Sequence, residues 1–197
     1  MERINYEKFK NLYISYFIEL KNEIIYLKKY IEFDKNNFKT FSFELLKLYQ
    51  SICSEIDVIA KGICNYFGVK LNNESIKQWG FEIQKHYNNI QNYKVCIGEL
   101  EFTPWKNWKY IEVSNKRNYK VIKLDKKAET PEWWIFYNKV KHTRTSLFKN
   151  EYNYKKANLE NILNSFSALF ILEYLFTCEF DKNLSDLKCD DFCKIVE

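Results

Sequence analysis

Four glycines and two prolines are all the backbone punctuation that 197 residues contain. Tight turns and strand-rich architectures draw heavily on both, so their scarcity favours long helices joined by polar loops. The apolar pattern agrees. From about Asn5 to Phe33, the residues Phe9, Leu12, Tyr13, Tyr16, Phe17, Leu20, Ile24, Leu27 and Ile31 recur at spacings of three and four, one helical stripe. The run DKNN at 34–37 breaks it. Ser42 is placed to cap a second helix, with Leu45, Leu46, Tyr49, Ile52, Cys53, Ile56, Ile59, Ala60 and Ile63 on its inner face and Gly68 as its stop. A third, shorter helix is expected from about Glu74 to Tyr87, another from Pro131, and a last long one from about Tyr154 to Phe180. The tail NLSDLKCDDFCKIVE reads as weakly helical.

Between Asn88 and Thr130 the pattern changes. YKVCIGELEF and NYKVIKL alternate apolar and polar residues and are rich in β-branched and aromatic types. This stretch is expected to be an insertion at about 88–130, irregular or a small β-hairpin, between helices. The fold class that follows is mainly α: a bundle of four to five helices in one domain over 1–197, without internal repeat or linker.

The formal charge is +5, with Lys far exceeding Arg. An AT-rich genome biases composition the same way, so the charge permits phosphate binding without demonstrating it. Met1 leads into a charged helical pattern, so no leader peptide is expected. The six cysteines are then expected to be free thiols in a reducing cytoplasm. FSALFILEYLFTC, Phe166 to Cys178, is too short to span a bilayer and carries Glu173, which makes it a buried core helix rather than a membrane anchor.

Most chemical signatures are missing. The glycines are too scattered for a phosphate loop, and no nucleophile elbow occurs. His86 and His142 are the only histidines, His86 has no neighbouring cysteine, and Cys189-x3-Cys193 lacks a second ligand pair, so neither metal nor cofactor is expected. What remains is YNKVKHTR, Tyr137 to Arg144. On a helix, Asn138 and His142 project from one face, and Tyr137 and Lys141 form a parallel pair. An imidazole can move a proton near neutral pH, while Lys141 and Arg144 can hold a phosphate and neutralise its developing charge. These parts suffice for metal-independent RNA cleavage by attack of the ribose 2′-hydroxyl. Basic residues and a histidine in a last helical turn also answer the helix dipole, so a purely structural role stands beside the chemical one.

Other candidates surround this cluster. Trp105, Trp108, Trp133 and Trp134 are able to stack bases or to pack in the core. Lys139, with Trp133 and Trp134, is a candidate substrate contact. Glu55 and Lys61 stand in an otherwise apolar register with Asp57 nearby. A carboxylate such as Glu55 could pair with Lys141 or orient His142, or simply mark a solvated edge.

PEWWIFYNKVKHTR, then a polar loop, then KKANLENILNSFSALFILEYLF resembles the HEPN superfamily of helical domains. More closely, it is similar to a group of bacterial HEPN-like proteins with the signature WW-x-x-YN-x-x-KH-x-R. SEIDVIAKGIC fits the same group. The resemblance covers roughly 40–70 and 131–180. It implies a four- or five-helix bundle, commonly a homodimer, that binds RNA or a nucleotide. Many members are metal-independent endoribonucleases of bacterial defence or toxin–antitoxin systems, with one composite site across the dimer. Their motif is an Arg, then a polar residue, with a His four to six positions after the Arg. Carried onto this chain, Asn138 matches the polar residue, His142 the histidine, and Tyr137 the arginine. Tyr137 departs from the motif, since a phenol has no fixed charge with which to hold a phosphate. Lys141 or Arg144 would have to supply it. The alternative is a catalytically inactive interaction module that binds a protein partner through the Trp-rich 88–130 stretch.

Overall fold

Ser42 sets the start of the longest helix. Its extended backbone (ψ 172°) leaves Oγ free to accept from the Leu45 amide at 3.1 Å, and the helix α3 runs Phe43–Tyr66 from there. Gly68, at φ +74°, lies just beyond its end, in the left-handed backbone that stops a helix without a Cβ penalty. A computed structural model describes residues 4–71, 75–114, 120–180 and 192–196.

The chain is mainly α-helical. Before α3 come α1 (Tyr6–Phe9), a π-helical turn (Lys10–Ile14) and α2 (Ser15–Leu27), continuous in one rod. After it come α4 (Ile76–His86), α5 (Glu132–Thr143) and α6 (Leu159–Cys178). The expected start of α4 at Glu74 lies outside the described residues. Asn158 caps α6, its side chain accepting from the Asn161 amide at 3.1 Å.

α6 packs along α3, and their facing side chains are the centre of the core: Tyr49, Ile52, Ile56, Ile59 and Ile63 against Ile162, Phe166, Leu169, Phe170 and Phe176. α6 is long and apolar enough to cross a membrane, but 83% of its most apolar window is buried inside the fold, as a core helix would be. The N-terminal rod closes the bundle, with the Phe17 ring stacked on both Phe166 and Phe170 at 5.6 Å.

The expected insertion is an integral part of this core. β1 (Lys94–Ile97) and β2 (Leu100–Phe102) form a hairpin turned by Gly98 (φ +60°), and β3 (Tyr110–Ser114) pairs antiparallel with β4 (Lys120–Leu124). Trp105 and Trp108, between the two hairpins, are fully buried. A two-residue hairpin, β5 (Leu147–Phe148) with β6 (Glu151–Tyr152), joins α5 to α6. The tail departs from its helical expectation at Cys193. β7 (Cys193–Val196) is a strand that pairs with β1, giving the sheet order β2-β1-β7, so Cys193 starts a strand rather than a helical turn. Cys189 lies outside the described residues.

Candidate functional site

Three helices leave a small polar pocket between them. α3 contributes Ser54 and Asp57, the start of α4 contributes Ser75 and Ile76, and α5 contributes Trp134, Tyr137, Asn138 and Lys141. Its volume is about 270 Å³. That is at or below the lower end of drug-sized sites, roughly 300 Å³, and suits a single ring or sugar. Four of the candidates on α5, Trp134, Tyr137, Asn138 and Lys141, therefore meet here.

The floor is aromatic and rigid. Trp134 packs edge-on against Trp79 (5.6 Å, 87°) and beside Tyr137 (5.2 Å), whose ring meets Tyr49 at 6.2 Å. The Tyr49 hydroxyl donates a short hydrogen bond to the Trp133 carbonyl, which ties α5 to α3. Burial raises the Tyr137 hydroxyl to about 12, and Cys53 and the Asp57 carboxylate reinforce the shift. Tyr137 is thus a neutral hydrogen-bonding group at pH 7.

Asp57 braces the wall. Its Oδ1 accepts from the Trp79 indole at 3.0 Å, and its Oδ2 pairs with Lys61 at 2.7 Å, one turn along α3. The aspartate charge is therefore largely neutralised from within the fold. Asn138 donates through Nδ2 to the Trp134 carbonyl at 3.0 Å, leaving Oδ1 as an acceptor. The Lys141 ammonium stands 5.5 Å from the Tyr137 ring centre, exposed at the rim.

His142 and Arg144 are exposed at the C-terminal end of α5. His142 continues the Asn138 face one turn further, outside the pocket. This end is pinned in place. Asn153 Nδ2 donates to the Thr143 carbonyl at 2.8 Å and to its Oγ1 at 3.0 Å, and the Tyr154 amide donates to the Arg144 carbonyl at 3.0 Å. A cationic rim on a fixed backbone thus adjoins a neutral polar pocket.

Other sequence candidates lie elsewhere. Trp133 and Trp134 are buried, and Trp133 spends its indole N–H on the Pro104 carbonyl at 2.9 Å. With Trp105 and Trp108 they form a contiguous aromatic core, of which Trp134 alone lines the pocket. Trp105, Trp108 and Trp133 pack in the core, while Trp134 both packs there and lines the pocket. Glu55 is buried on α3 and acts electrostatically on Glu173 of α6, so it neither pairs with Lys141 nor orients His142. Lys139 lies on another face of α5, over the Phe148 ring. His86 stacks on Phe67 at 3.7 Å. Among the described residues, no three His, Cys, Asp or Glu side chains are grouped to hold a metal ion.

Ser54 and Ser75 carried no sequence signal, because a lone serine fits any helix edge. Asp57 did carry one, as the carboxylate four residues before Lys61. Comparison with protein-family models, with curated proteins and with solved structures found no match to this chain.

Proposed function

We propose that this is a HEPN-like RNA-binding protein whose α3–α4–α5 pocket seats one ribose or base while the rim of α5 holds the adjoining phosphate. The observation that carries the reading is the convergence of Tyr137, Asn138 and Lys141 on one pocket beside exposed His142 and Arg144. The division of labour follows from charge. The pocket is lined by hydroxyls and an amide, its one carboxylate already neutralised, which suits a ribose or base. Lys141 at the pocket's rim and Arg144 beyond it suit a phosphodiester, with Arg144 in place of the arginine that Tyr137 displaces. His142, free of any hydrogen-bond partner among the described residues, is the group available to move the 2′-hydroxyl proton. In this reading two chains meet as a homodimer, each rim completing the other's site, in a defence or toxin–antitoxin setting.

The test is cleavage of a panel of single-stranded and structured RNAs in EDTA. His142→Ala is expected to lower cleavage by about 10²–10⁴-fold, the span of one general acid–base group. It should leave folding intact, since the side chain is exposed. Cleavage unchanged in His142→Ala would remove the catalytic half of the proposal. Failure of the wild type to bind any RNA would remove all of it.

A second reading, an inactive module that docks a protein, loses the tryptophans of the 88–130 stretch as a contact surface, because Trp105 and Trp108 are fully buried, and draws on a different surface. Leu12, Tyr16, Tyr26, Tyr30 and Phe43 are large apolar side chains left open along the N-terminal rod, just beyond its end and at the start of α3, and Glu19, Glu23 and Glu44 line a groove with Tyr26 and Tyr30. That surface lies apart from the pocket and does not depend on it.

A further inference from the structure

The face of α5 turned away from the pocket has a chemistry of its own. Phe136 and Lys139 lie there, opposite the β5–β6 hairpin that brings Phe148 and Lys149, and Lys156 follows just before α6. Three ammonium groups share two phenyl rings. Lys139 Nζ sits 2.8 Å from the Phe148 ring centre and 5.9 Å from that of Phe136. Lys149 Nζ is 5.5 Å from Phe148, and Lys156 Nζ is 5.3 Å from Phe136. The rings themselves meet at 6.4 Å and open into a groove of about 930 Å³.

Cations gathered so closely repel one another. Only Lys156 has an acidic partner, Glu151 at 3.1 Å; Lys139 and Lys149 have none among the described residues. Partial burial and the charges of Lys149 and Lys156 hold the Lys139 ammonium below its usual range. The carboxylates of the groove do not relieve this. Glu160 is taken by Lys39 at 2.9 Å, and among the described residues neither Glu129 nor Glu132, the other two carboxylates lining the groove, forms an ion pair with Lys139, Lys149 or Lys156.

The backbone adds an independent sign. Lys149 and Asn150, the two residues of the hairpin turn, have φ +50° and +64°. A turn with positive φ at both central positions is normally built with glycine or asparagine at the first, where a lysine is strained. Here the strained position points its ammonium at the Phe148 ring.

We infer that Lys139, Lys149 and Lys156, laid over Phe136 and Phe148, form a phosphate-binding cradle separate from the α3–α4–α5 pocket. A polyphosphate or a run of phosphodiesters relieves the mutual repulsion and accepts hydrogen bonds from all three ammonium groups. The inference does not rest on the reading of the pocket.

Titration calorimetry with sodium tripolyphosphate tests it, using wild type, Lys149→Gly and Lys139→Gln. Glycine suits the turn, so Lys149→Gly is expected to melt at the same temperature or higher while binding tripolyphosphate at least tenfold more weakly. Lys139→Gln is expected to weaken it comparably. A competition arm adds a short RNA without terminal phosphates. Displacement of tripolyphosphate by that RNA assigns the cradle to backbone phosphates. Binding without displacement assigns it to a free polyphosphate such as a nucleotide tail, and RNA binding at the pocket then stands or falls on the cleavage test alone. No binding by wild type, or binding equal in all three proteins, overturns the cradle.

Discussion

Glu55 and Glu173 are the residues least at ease in this fold. Glu173 is fully buried with both carboxylate oxygens unpartnered among the described residues, and Glu55 is buried with its Oε1 unpartnered. The Tyr13 hydroxyl nearby is raised by burial and by both carboxylates. Burial pushes Glu55 up to about 7 from its ordinary 4.5, and burial together with Glu55 pushes Glu173 well above the same value. Between about 4.5 and 7 the folded chain keeps a proton on Glu55 that the unfolded chain has released. Stability from this group is therefore complete below pH 4.5 and is lost as pH rises through about 7. Glu173 extends the loss toward alkaline pH. The melting temperature is expected to fall between pH 5 and pH 8. Glu55→Gln should recover part of the fall, worth about 1–3 kcal/mol at pH 8. Parallel melting curves for the two proteins at both pH values would count against it. The sequence marks Glu55 as a charge within an apolar stripe. Whether such a charge sits at the edge or in the centre depends on the neighbouring helix, which local periodicity does not see.

At the scale of elements, α3 was legible almost residue by residue. A long stripe, a serine cap and a glycine stop are all local features, and the structure uses each of them. The N-terminal rod was legible only in part. Phe9, Phe17, Leu20 and Ile24 are buried as the stripe requires, but Leu12 and Tyr16 are exposed. The π turn at Lys10–Ile14 adds residues to one turn, so spacings of four stay on the inner face while spacings of three drift outward. α4 shows a constraint of another kind. A Cβ on Gly80 would lie 2.3 Å from Cζ2 of Trp108, a fully buried indole with no room to move. That contact presses α4 onto the strands and fixes Trp79, which in turn holds Asp57 at the pocket. Gly80→Ala is expected to destabilise the protein by about 1–3 kcal/mol, as an overpacked core does. Chemical denaturation would measure it, and a gain in stability, as expected of alanine in an unobstructed helix, would refute the close approach. The pocket itself was half legible. The α5 residues declared themselves by spacing, whereas Ser54 and Ser75 entered through the packing of α3 and α4 on α5.

For the whole molecule, the chain ends decide how the helical and strand parts are joined. The N-terminal rod packs on α6, with Phe9 against Phe176 at 4.7 Å and Phe180 at 4.8 Å. The C-terminal strand β7 completes the sheet by pairing with β1, Ile195 opposite Val95. A strand of four residues leaves too short an alternation to be told from a turn of helix, and its partner lies about a hundred positions earlier in the chain. That is why the tail read as helical and why 88–130 read as an insertion: each half of the sheet looks marginal until the other is present. The pairing makes a paired test available. Cys193 and Ile195 are buried, while Lys194 and Val196 face outward. Ile195→Asp puts an unpaired carboxylate against Val95 in the core and is expected to cost about 3 kcal/mol or more in chemical denaturation. Val196→Asp, one residue on and on the opposite face, is expected to cost about 0.5 kcal/mol or less. Equal losses from the two would mean that β7 does not alternate, and that the C-terminus is held by something other than the sheet.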